Sequence, residues 1–261
     1  MSESRQEIFN PFGTFDTKGY LENSTGEKDL EKVKRMEHVA FSSGLQAALD
    51  MLALTDEVTY ATVLDTHRML FQDFYPWAGR DRLSTAPDQV ISKGDVGSEF
   101  RTQFEMPVDI RLAFDYGLNM AADTAKMKTK VGTIMGTFAF AHPFLDGNGR
   151  TILLVHMELC FRAGFSIAWA QTRKIDYLQA LSKEIDDPNK GHLDGYLSNF
   201  IIPTNSRDGW LDQILSIQGL DGGLGIDAMD EGVYVAGRTD DPEMIKRYQA
   251  QAASSRYPTD S

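Results

Sequence analysis

The sequence predicts an all-α domain with one small β-hairpin, and three observations support this fold class. Apolar residues recur at the three- and four-residue spacing of amphipathic helices along most of the chain. One stretch, residues 80–98, instead alternates polar and apolar positions and is interrupted by Pro87 and Gly94, which is typical of a short hairpin or flap. Short segments rich in proline or glycine separate the periodic stretches, as expected between packed helices.

The helical periodicity divides the chain into seven segments. The predicted helices span residues 28–54, 59–72, 107–126, 130–141, 150–163, 175–184 and 193–201. The second helix must end before the turn that contains Pro76 and Gly79, because proline and glycine stop helices. The sixth must end near Pro188 for the same reason. The predicted hairpin therefore lies between the second and third helices.

A change of composition divides the chain into three regions. Residues 1–27 form an N-terminal extension, residues 28–218 the main helical domain, and residues 219–261 a C-terminal tail. The tail begins with the glycine-rich run 219–225, continues with acidic residues, and has room for a short helix at 244–253. This composition favours a flexible linker over an ordered regulatory element.

The charge balance excludes several classes of protein. The 261-residue chain carries 38 acidic and 26 basic residues, a formal net charge of −12, whereas nucleic-acid binders present basic surfaces. The apolar runs are too short to span a bilayer, and the N-terminus lacks the apolar core of a secretory signal. We therefore expect a soluble protein with no nucleic-acid partner and no membrane partner.

The loop between the fourth and fifth predicted helices combines the groups that phosphate chemistry needs. His142 is able to take up a proton near neutral pH, and Asp146 offers the hard oxygen ligands that Mg²⁺ uses beside phosphates. Gly147 and Gly149 permit positive φ and close backbone approach, and the following helix directs free N–H groups into the loop. Arg150 adds a permanent positive charge. These groups predict transfer from a nucleoside triphosphate to a hydroxyl.

The same segment resembles the sequence motif of the Fic family, His-x-Phe-x-Asp/Glu-Gly-Asn-Gly-Arg-x-x-Arg. The match runs from His142 to Arg150 and fails at the second arginine, where this chain has Leu153. Upstream, residues 67–80 resemble a second Fic hallmark, the helix and turn before the flap. The flap itself is similar to the run Ile91, Ser92, Lys93 and Gly94. The resemblance covers roughly residues 20–203.

The resemblance implies a Fic-type helical domain with a small β-hairpin flap that transfers AMP from ATP to a serine, threonine or tyrosine of a target protein. His142 would deprotonate the target hydroxyl, which would attack the α-phosphate and release pyrophosphate. Asp146 would hold Mg²⁺, and Arg150 would bind the β- and γ-phosphates. The phosphates would be cradled by Gly147, Asn148 and Gly149. The flap would dock the target as an added strand.

Leu153 is the departure from the family pattern, and it leaves other functions open. The family resemblance gives the second arginine a role at the γ-phosphate, so its replacement predicts weaker ATP binding or another reaction. Transfer from UTP, GTP or CDP-choline, and phosphate transfer, are alternatives on the same fold. A degenerate, non-enzymatic binding module is a further alternative.

Regulation and location can be predicted only in outline. The chain lacks an intact copy of the Ser/Thr-x-x-x-Glu-Gly/Asn motif of inhibitory Fic helices. A separate antitoxin-like inhibitory protein is therefore the expected partner besides the target. The protein is expected to act in the bacterial cytoplasm or after translocation into a host cell.

Overall fold

Amphipathic helices form most of the structure, a computed structural model that describes residues 21–93, 102–204, 206–220 and 233–252. Within these ranges the α-helices are α1 (Leu30–Leu54), α2 (Tyr60–Phe71), α3 (Arg82–Thr85), α4 (Ile110–Ala122), α5 (Thr124–Thr129), α6 (Val131–Ala141), α7 (Asn148–Arg162), α8 (Lys174–Asp186), α9 (His192–Leu197), α10 (Trp210–Leu215) and α11 (Pro242–Ala252). The strands are β1 (Gln89–Lys93), β2 (Thr102–Gln103), β3 (Phe165–Ile167), β4 (Ile201–Pro203) and β5 (Val233–Arg238). The predicted all-α class with a small hairpin is confirmed.

The observed helices lie close to the predicted segments except after residue 107 and in the last predicted helix, 193–201, where α9 ends at Leu197 and Ile201 begins β4. The sequence predicts one helix at 107–126, whereas the chain forms a 3-10 turn, then α4, then α5. Asp123 separates the last two, because its side chain accepts hydrogen bonds from the backbone N–H groups of Ala125 and Lys126 and so caps a new helix. The short helices α3 and α10 contain too few apolar repeats to be predicted.

Helix α6 lies at the centre of the domain. It packs against α4, α7, α8 and α9, and a glycine permits one of the closest approaches. A Cβ atom at Gly132 would lie 2.1 Å from the backbone of Leu193 in α9, so only glycine fits there. No helix in the described part of the chain combines the length and apolar character needed to cross a membrane. The apolar α6 is therefore a core helix, and it leads directly into the motif loop.

The long helix α1 lies along α2 and contacts α7. Gly44 permits the close crossing with α2, since a Cβ atom there would lie 2.2 Å from the carbonyl oxygen of Met69. Its core-facing side includes Phe41, which is fully buried. The charged residues Lys34 and Glu37 precede Phe41 by one to two turns, and this packing brings both of them to the motif loop.

The flap belongs to a three-stranded antiparallel sheet with the order β2–β1–β5. Strand β1 lies within the predicted flap segment, 80–98, and pairs with β2, which lies just beyond that segment. The other edge of β1 pairs with β5 from Gln89–Arg238 to Lys93–Val233. The tail, which we expected to be mainly a flexible linker, therefore supplies both a strand and the helix α11. The short strands β3 and β4 pair only with each other in the described residues.

Candidate functional site

His142 lies at the end of α6, where its backbone adopts a left-handed conformation with φ 43° and ψ 61°. A non-glycine residue at positive φ is uncommon and persists only where its surroundings hold it. The buried Arg82 donates from Nε to the carbonyl oxygen of His142 at 2.7 Å and from Nη2 to that of Glu105 at 2.7 Å. The His142 ring stacks on Phe104, with centroids 3.7 Å apart and planes inclined by 7°. The imidazole is therefore fixed in position and orientation.

Asn148 determines which nitrogen of His142 carries a proton. Its Oδ1 accepts from the Phe144 N–H at 2.8 Å and its Nδ2 donates to the Phe144 carbonyl at 2.8 Å, which fixes the orientation of the amide. Nδ2 also lies 3.1 Å from Nε2 of His142, so Nε2 must be the acceptor. We therefore assign the neutral tautomer protonated on Nδ1. The Nε2 lone pair faces the loop, as a general base requires.

The two glycines of the loop have different roles. Gly147 has φ 78°, and a Cβ atom there would lie 2.6 Å from Cε2 of Phe71, so both conformation and space require glycine. Gly149 lies in the first turn of α7 without a positive φ, and its Cβ position is open. Gly149 therefore does not use the positive φ that glycine permits. The absent side chain instead leaves the helix N-terminus accessible, where the first N–H groups lack helical partners and suit an anion.

His67 holds the loop through both ring nitrogens. Its Nδ1 accepts from the Gly79 N–H at 2.9 Å, so Nε2 carries the proton and donates to the carbonyl oxygen of Asp146 at 3.0 Å. The ring also stacks on Phe144 with centroids 3.8 Å apart. Burial lowers the pKa of His67 to about 3, so this histidine is neutral and structural. The predicted 67–80 hallmark is thus joined directly to the motif loop.

Four charged side chains form what we call the charge cluster: Lys34, Glu37, Asp146 and Arg150. Nζ of Lys34 lies 3.0 Å from Oδ2 of Asp146 and 3.4 Å from Oε2 of Glu37. Nη2 of Arg150 forms an ion pair with Oε1 of Glu37 and lies 3.8 Å from Oδ1 of Asp146. Two cations and two carboxylates sum to no net charge, so the cluster exerts little attraction on a distant anion.

Burial and ion pairing act in opposite directions within the charge cluster. Burial alone would raise the pKa of Asp146, but Lys34, Arg150 and the N–H of Gly147 hold that pKa below its usual range. Burial would lower the pKa of Lys34, but the carboxylates of Asp146 and Glu37 raise it above its usual value. Asp146 and Lys34 are therefore ionised near neutral pH.

Arg150 faces the interior of the domain. Its guanidinium lies over the rings of Phe71 and Phe41, 4.7 Å and 5.7 Å from their centroids, and its side chain is 17% exposed. The predicted role of Arg150 in binding phosphates stays a prediction, and it requires Glu37 to share or release the guanidinium. Lys34, with 31% of its side chain exposed, is the more accessible cation.

Asp146 suits Mg²⁺ only if the ion takes most of its ligands from phosphate and water. Its Oδ1 accepts from the Gly147 N–H at 2.6 Å and its Oδ2 from Lys34 at 3.0 Å, and each oxygen keeps a further lone pair. Among the described residues no group of three His, Cys, Asp or Glu side chains could hold a metal. One carboxylate beside substrate phosphates is a common Mg²⁺ arrangement. The donors fit the ion in that form, and Asp146 stays a predicted ligand.

Leu153, which stands where the Fic motif has its second arginine, is 6% exposed and belongs to the main apolar core. Arg162, at the far end of α7, pairs with Glu158 and donates to the Leu52 carbonyl at the end of α1. Lys34 of α1, at 3.0 Å, lies closer to the carboxylate of Asp146 than Arg150 of α7 does, at 3.8 Å.

The predicted flap residues lie in β1 or outside the described residues. Ile91 and Ser92 are buried, Lys93 is the last residue of β1, and Gly94 falls outside the described ranges. Phe104 follows β2 directly and stacks on the histidine ring. The flap therefore contacts the motif loop, but both edges of β1 are already paired.

Sequence reasoning missed four residues that shape the site: Lys34, Glu37, Arg82 and Phe104. Lys34 and Glu37 are three positions apart, so they share one helix face, and this spacing is a readable signal. The spacing does not reveal which loop the face meets. Arg82 and Phe104 lie next to the hairpin, where the sequence has no periodic pattern that would indicate their contacts.

Residues 57–160 match the sequence model of the Fic/DOC family. Over 165 residues, 62% of this chain, the sequence is 28% identical to VbhT, a protein adenylyltransferase of Bartonella schoenbuchensis. The chain spans about a third of the length of that curated relative, 33%. Both Lys34 and the segment 233–252 lie outside the range matched by the family.

Two solved structures have similar folds. BepC, a VirB-translocated effector of Bartonella tribocorum with bound AMPPNP, has a TM-score of 0.57 at 17% identity, covering 70% of this chain and 93% of that one. The N-terminal Fic domain of a VirB-translocated Bep effector of Bartonella quintana, with bound ADP, has a TM-score of 0.58 at 16% identity, covering 70% and 91%. At these identities the likeness concerns the fold.

Proposed function

Because residues 57–160 match the Fic/DOC family, we propose that this chain transfers AMP from ATP to a serine, threonine or tyrosine hydroxyl of a target protein. The observation that carries the proposal is the contact from Asn148 to Nε2 of His142, which presents a neutral imidazole at the N-terminus of α7. A base beside an anion-binding helix end suits attack of a hydroxyl on a phosphate. The relative named as a protein adenylyltransferase favours AMP as the transferred group.

In the proposed reaction the target hydroxyl replaces Asn148 as the hydrogen-bond donor to Nε2 of His142. Its proton moves to Nε2 while the hydroxyl oxygen forms a bond to the α-phosphorus. The bond from the α-phosphorus to the bridging oxygen of the β-phosphate breaks, and its electron pair leaves with pyrophosphate. Arg82 and Phe104 hold the imidazole in place, so little reorientation is needed before attack.

The phosphates are proposed to bind at the start of α7, to the backbone of Gly147, Asn148 and Gly149. Lys34 is proposed to supply the cation for the outer phosphates, because Leu153 is buried and Arg150 is paired with Glu37. A long, rotatable ammonium can move from a carboxylate to a phosphate without a change of backbone. Mg²⁺ held by Asp146 would neutralise phosphate charge when bound.

The partner and the place of action are part of the same proposal. The target would present an extended segment to the flap at Ile91, Ser92 and Lys93, since a strand adds readily to a sheet edge. An antitoxin-like inhibitor stays a prediction. Action in the bacterial cytoplasm or in a host cell also stays a prediction.

Labelling with ATP tests the activity and His142 together. We expect label on the α-phosphate to enter proteins of a cell lysate, and His142→Ala to lower the rate about 10²- to 10⁴-fold, as loss of a general base does. His192→Ala is the matched control, because His192 begins α9 and has 37% of its side chain exposed. Thermal melting of both variants shows whether the domain stays folded.

The position of the label separates the alternatives. Entry of label from the γ-phosphate instead of the α-phosphate would establish phosphate transfer. Incorporation from UTP, GTP or CDP-choline in place of ATP would identify another donor. An unchanged rate in folded His142→Ala protein would refute the proposed base, and absence of any incorporation would favour the non-enzymatic binding module.

A further inference from the structure

The edge of β1 that a target strand could pair with is occupied by β5 of the same chain. Strand β1 has two edges; one pairs with β2, and the other pairs with β5 through register pairs that include Ile91–Val235 and Ser92–Tyr234. An extended protein segment that adds to an edge needs unpaired N–H and C=O groups. Strand β5 satisfies those groups in the way that a target strand would.

Residues 233–252 contact the rest of the domain on both sides of the turn that joins β5 to α11. The N–H of Thr239 donates to the Asp88 carbonyl at 3.0 Å, immediately before β1. In α11, Met244 is 6% exposed and packs with Val90 and Met106 in a small apolar cluster that is separate from the main core. The position of β5 is therefore stabilised by contacts outside the strand, although these contacts form only a small satellite of the core.

Helix α11 also contacts the residues that hold the motif loop in place. The Tyr248 hydroxyl donates to Oε1 of Glu105, and the carbonyl of Glu105 accepts from Arg82 at 2.7 Å. Arg82 in turn donates to the carbonyl of His142. Phe104, the neighbour of Glu105, stacks on the imidazole ring of His142. Binding of α11 and the geometry of the loop therefore share one set of contacts.

We propose that residues 233–252 are an internal competitor of the target protein: β5 occupies the docking edge of β1 and must leave before an extended segment of the target can pair there. Strand β5 of this chain occupies the edge of β1, and the target would displace it with another extended segment that pairs with the same backbone groups. The competition rests on the proposed function in one respect, namely that the flap is the target-docking element. Among the described side chains of the segment, Met244 and Tyr248 supply apolar contacts in one small cluster that is separate from the main core, so we expect its local release to need no unfolding of the helical core.

The test compares two equal substitutions in neighbouring residues of α11. Met244→Asp places a charge in the small apolar cluster, whereas Ile245→Asp changes a side chain that is 37% exposed. We expect Met244→Asp to raise the fraction of molecules with a released edge about tenfold or more, as loss of one buried apolar side chain does to such an equilibrium. Hydrogen exchange of the Gln89–Lys93 amides in the full chain measures that release.

A labelled peptide with the sequence of residues 233–239, VYVAGRT, serves as the probe for the vacated edge. We expect it to bind the Met244→Asp protein about tenfold more tightly than the unaltered chain or Ile245→Asp. α-Phosphate labelling of lysate proteins should increase in the same order. The affinity for ATP should be equal in all three proteins, because the contacts of α11 lead through Glu105 and Arg82 to His142, whereas the phosphates are proposed to bind at the charge cluster and the start of α7.

Three results would overturn the competition. Unchanged exchange in Met244→Asp would mean that the segment does not protect β1, and unchanged peptide binding would mean that the edge accepts no strand. Released amides together with unchanged labelling of active protein would mean that the target does not use this edge. If no protein, including the unaltered chain, transfers label, the proposed function fails, whereas the exchange and peptide measurements still decide whether the segment occupies a strand-binding edge.

Discussion

Lys34 reaches the motif loop from a helix that lies before the family match, and its contribution to nucleotide binding can be measured. We expect Lys34→Ala to weaken ATP binding roughly tenfold, because one charge-assisted contact at a partly exposed site contributes about 1.5 kcal/mol. Titration calorimetry with ATP measures the change. Lys32→Ala is the matched control, since Lys32 lies on the same helix with 63% of its side chain exposed.

The opposite outcome has a clear meaning. Equal or tighter ATP binding by Lys34→Ala, with the control unchanged, would show that Lys34 serves only to neutralise Asp146 in the absence of ligand. Glu37 would then be the neighbour to change next, because it pairs with both Lys34 and Arg150.

The residues of the loop could be predicted because they are contiguous, whereas their partners could not. His142, Asp146 and Arg150 lie in one short motif whose chemistry is readable from residue type. Lys34 is separated from Asp146 by 112 positions, and Glu37 from Arg150 by 113. Such contacts depend on how α1 packs across the domain, which local patterns in the sequence do not specify.

At the scale of elements, the two glycines at the start of α7 should respond differently to substitution, because Gly147 has no room for a side chain and Gly149 does. Gly147→Ala should lower the melting temperature and the affinity for ATP, because its φ of 78° and the Phe71 ring at 2.6 Å both oppose a Cβ atom. Gly149→Ala should keep or raise the melting temperature, since alanine favours a helix by about 0.8–1.0 kcal/mol over glycine. It should still weaken ATP binding by filling the approach to the helix end.

Melting curves and ATP titrations of the two variants check this contrast. A Gly147→Ala protein that melts and binds like the unaltered chain would show that the loop conformation is not required. ATP binding unaffected by Gly149→Ala would place the phosphates away from this helix end.

Elements with strong periodicity were predictable, and those defined by distant pairing were not. The helices α1, α2, α6 and α7 match their predicted segments within a few residues, because each has a continuous apolar face. Strand β5 pairs with β1 across more than half of the sequence, so its composition alone resembled a linker. The break at Asp123 depends on one side chain that caps a helix.

For the whole molecule, buried histidines predict how stability depends on pH. Burial lowers the pKa of His67 to about 3 and that of His156 to about 4, from 6.5. Because the folded-state pKa values lie below the unfolded value, the unfolded chain binds more protons, and stability rises with pH between about 4 and 6.5. Each histidine contributes at most about 1.4 kcal/mol per pH unit.

Denaturant unfolding at a series of pH values measures this slope. His156→Gln should reduce the slope by about one proton's contribution. A slope that is equal in the variant and in the unaltered chain would mean that His156 is not one of the groups that titrate. The lowered pKa of Asp146 acts in a separate, more acidic range, below the usual carboxyl value of 3.8.

The neutral charge cluster has a consequence for the rate at which a nucleotide arrives. A protein with a net charge of −12 repels a polyanion at long range, and a cluster whose own charges cancel adds little long-range attraction to offset that repulsion. Capture then depends on donors that act within a few ångströms, after the encounter has occurred. Dissolved salt screens the repulsion over a Debye length of about 8 Å at physiological ionic strength. We therefore expect nucleotide association, measured by stopped-flow mixing at a series of salt concentrations, to become faster as ionic strength rises, the reverse of electrostatic steering.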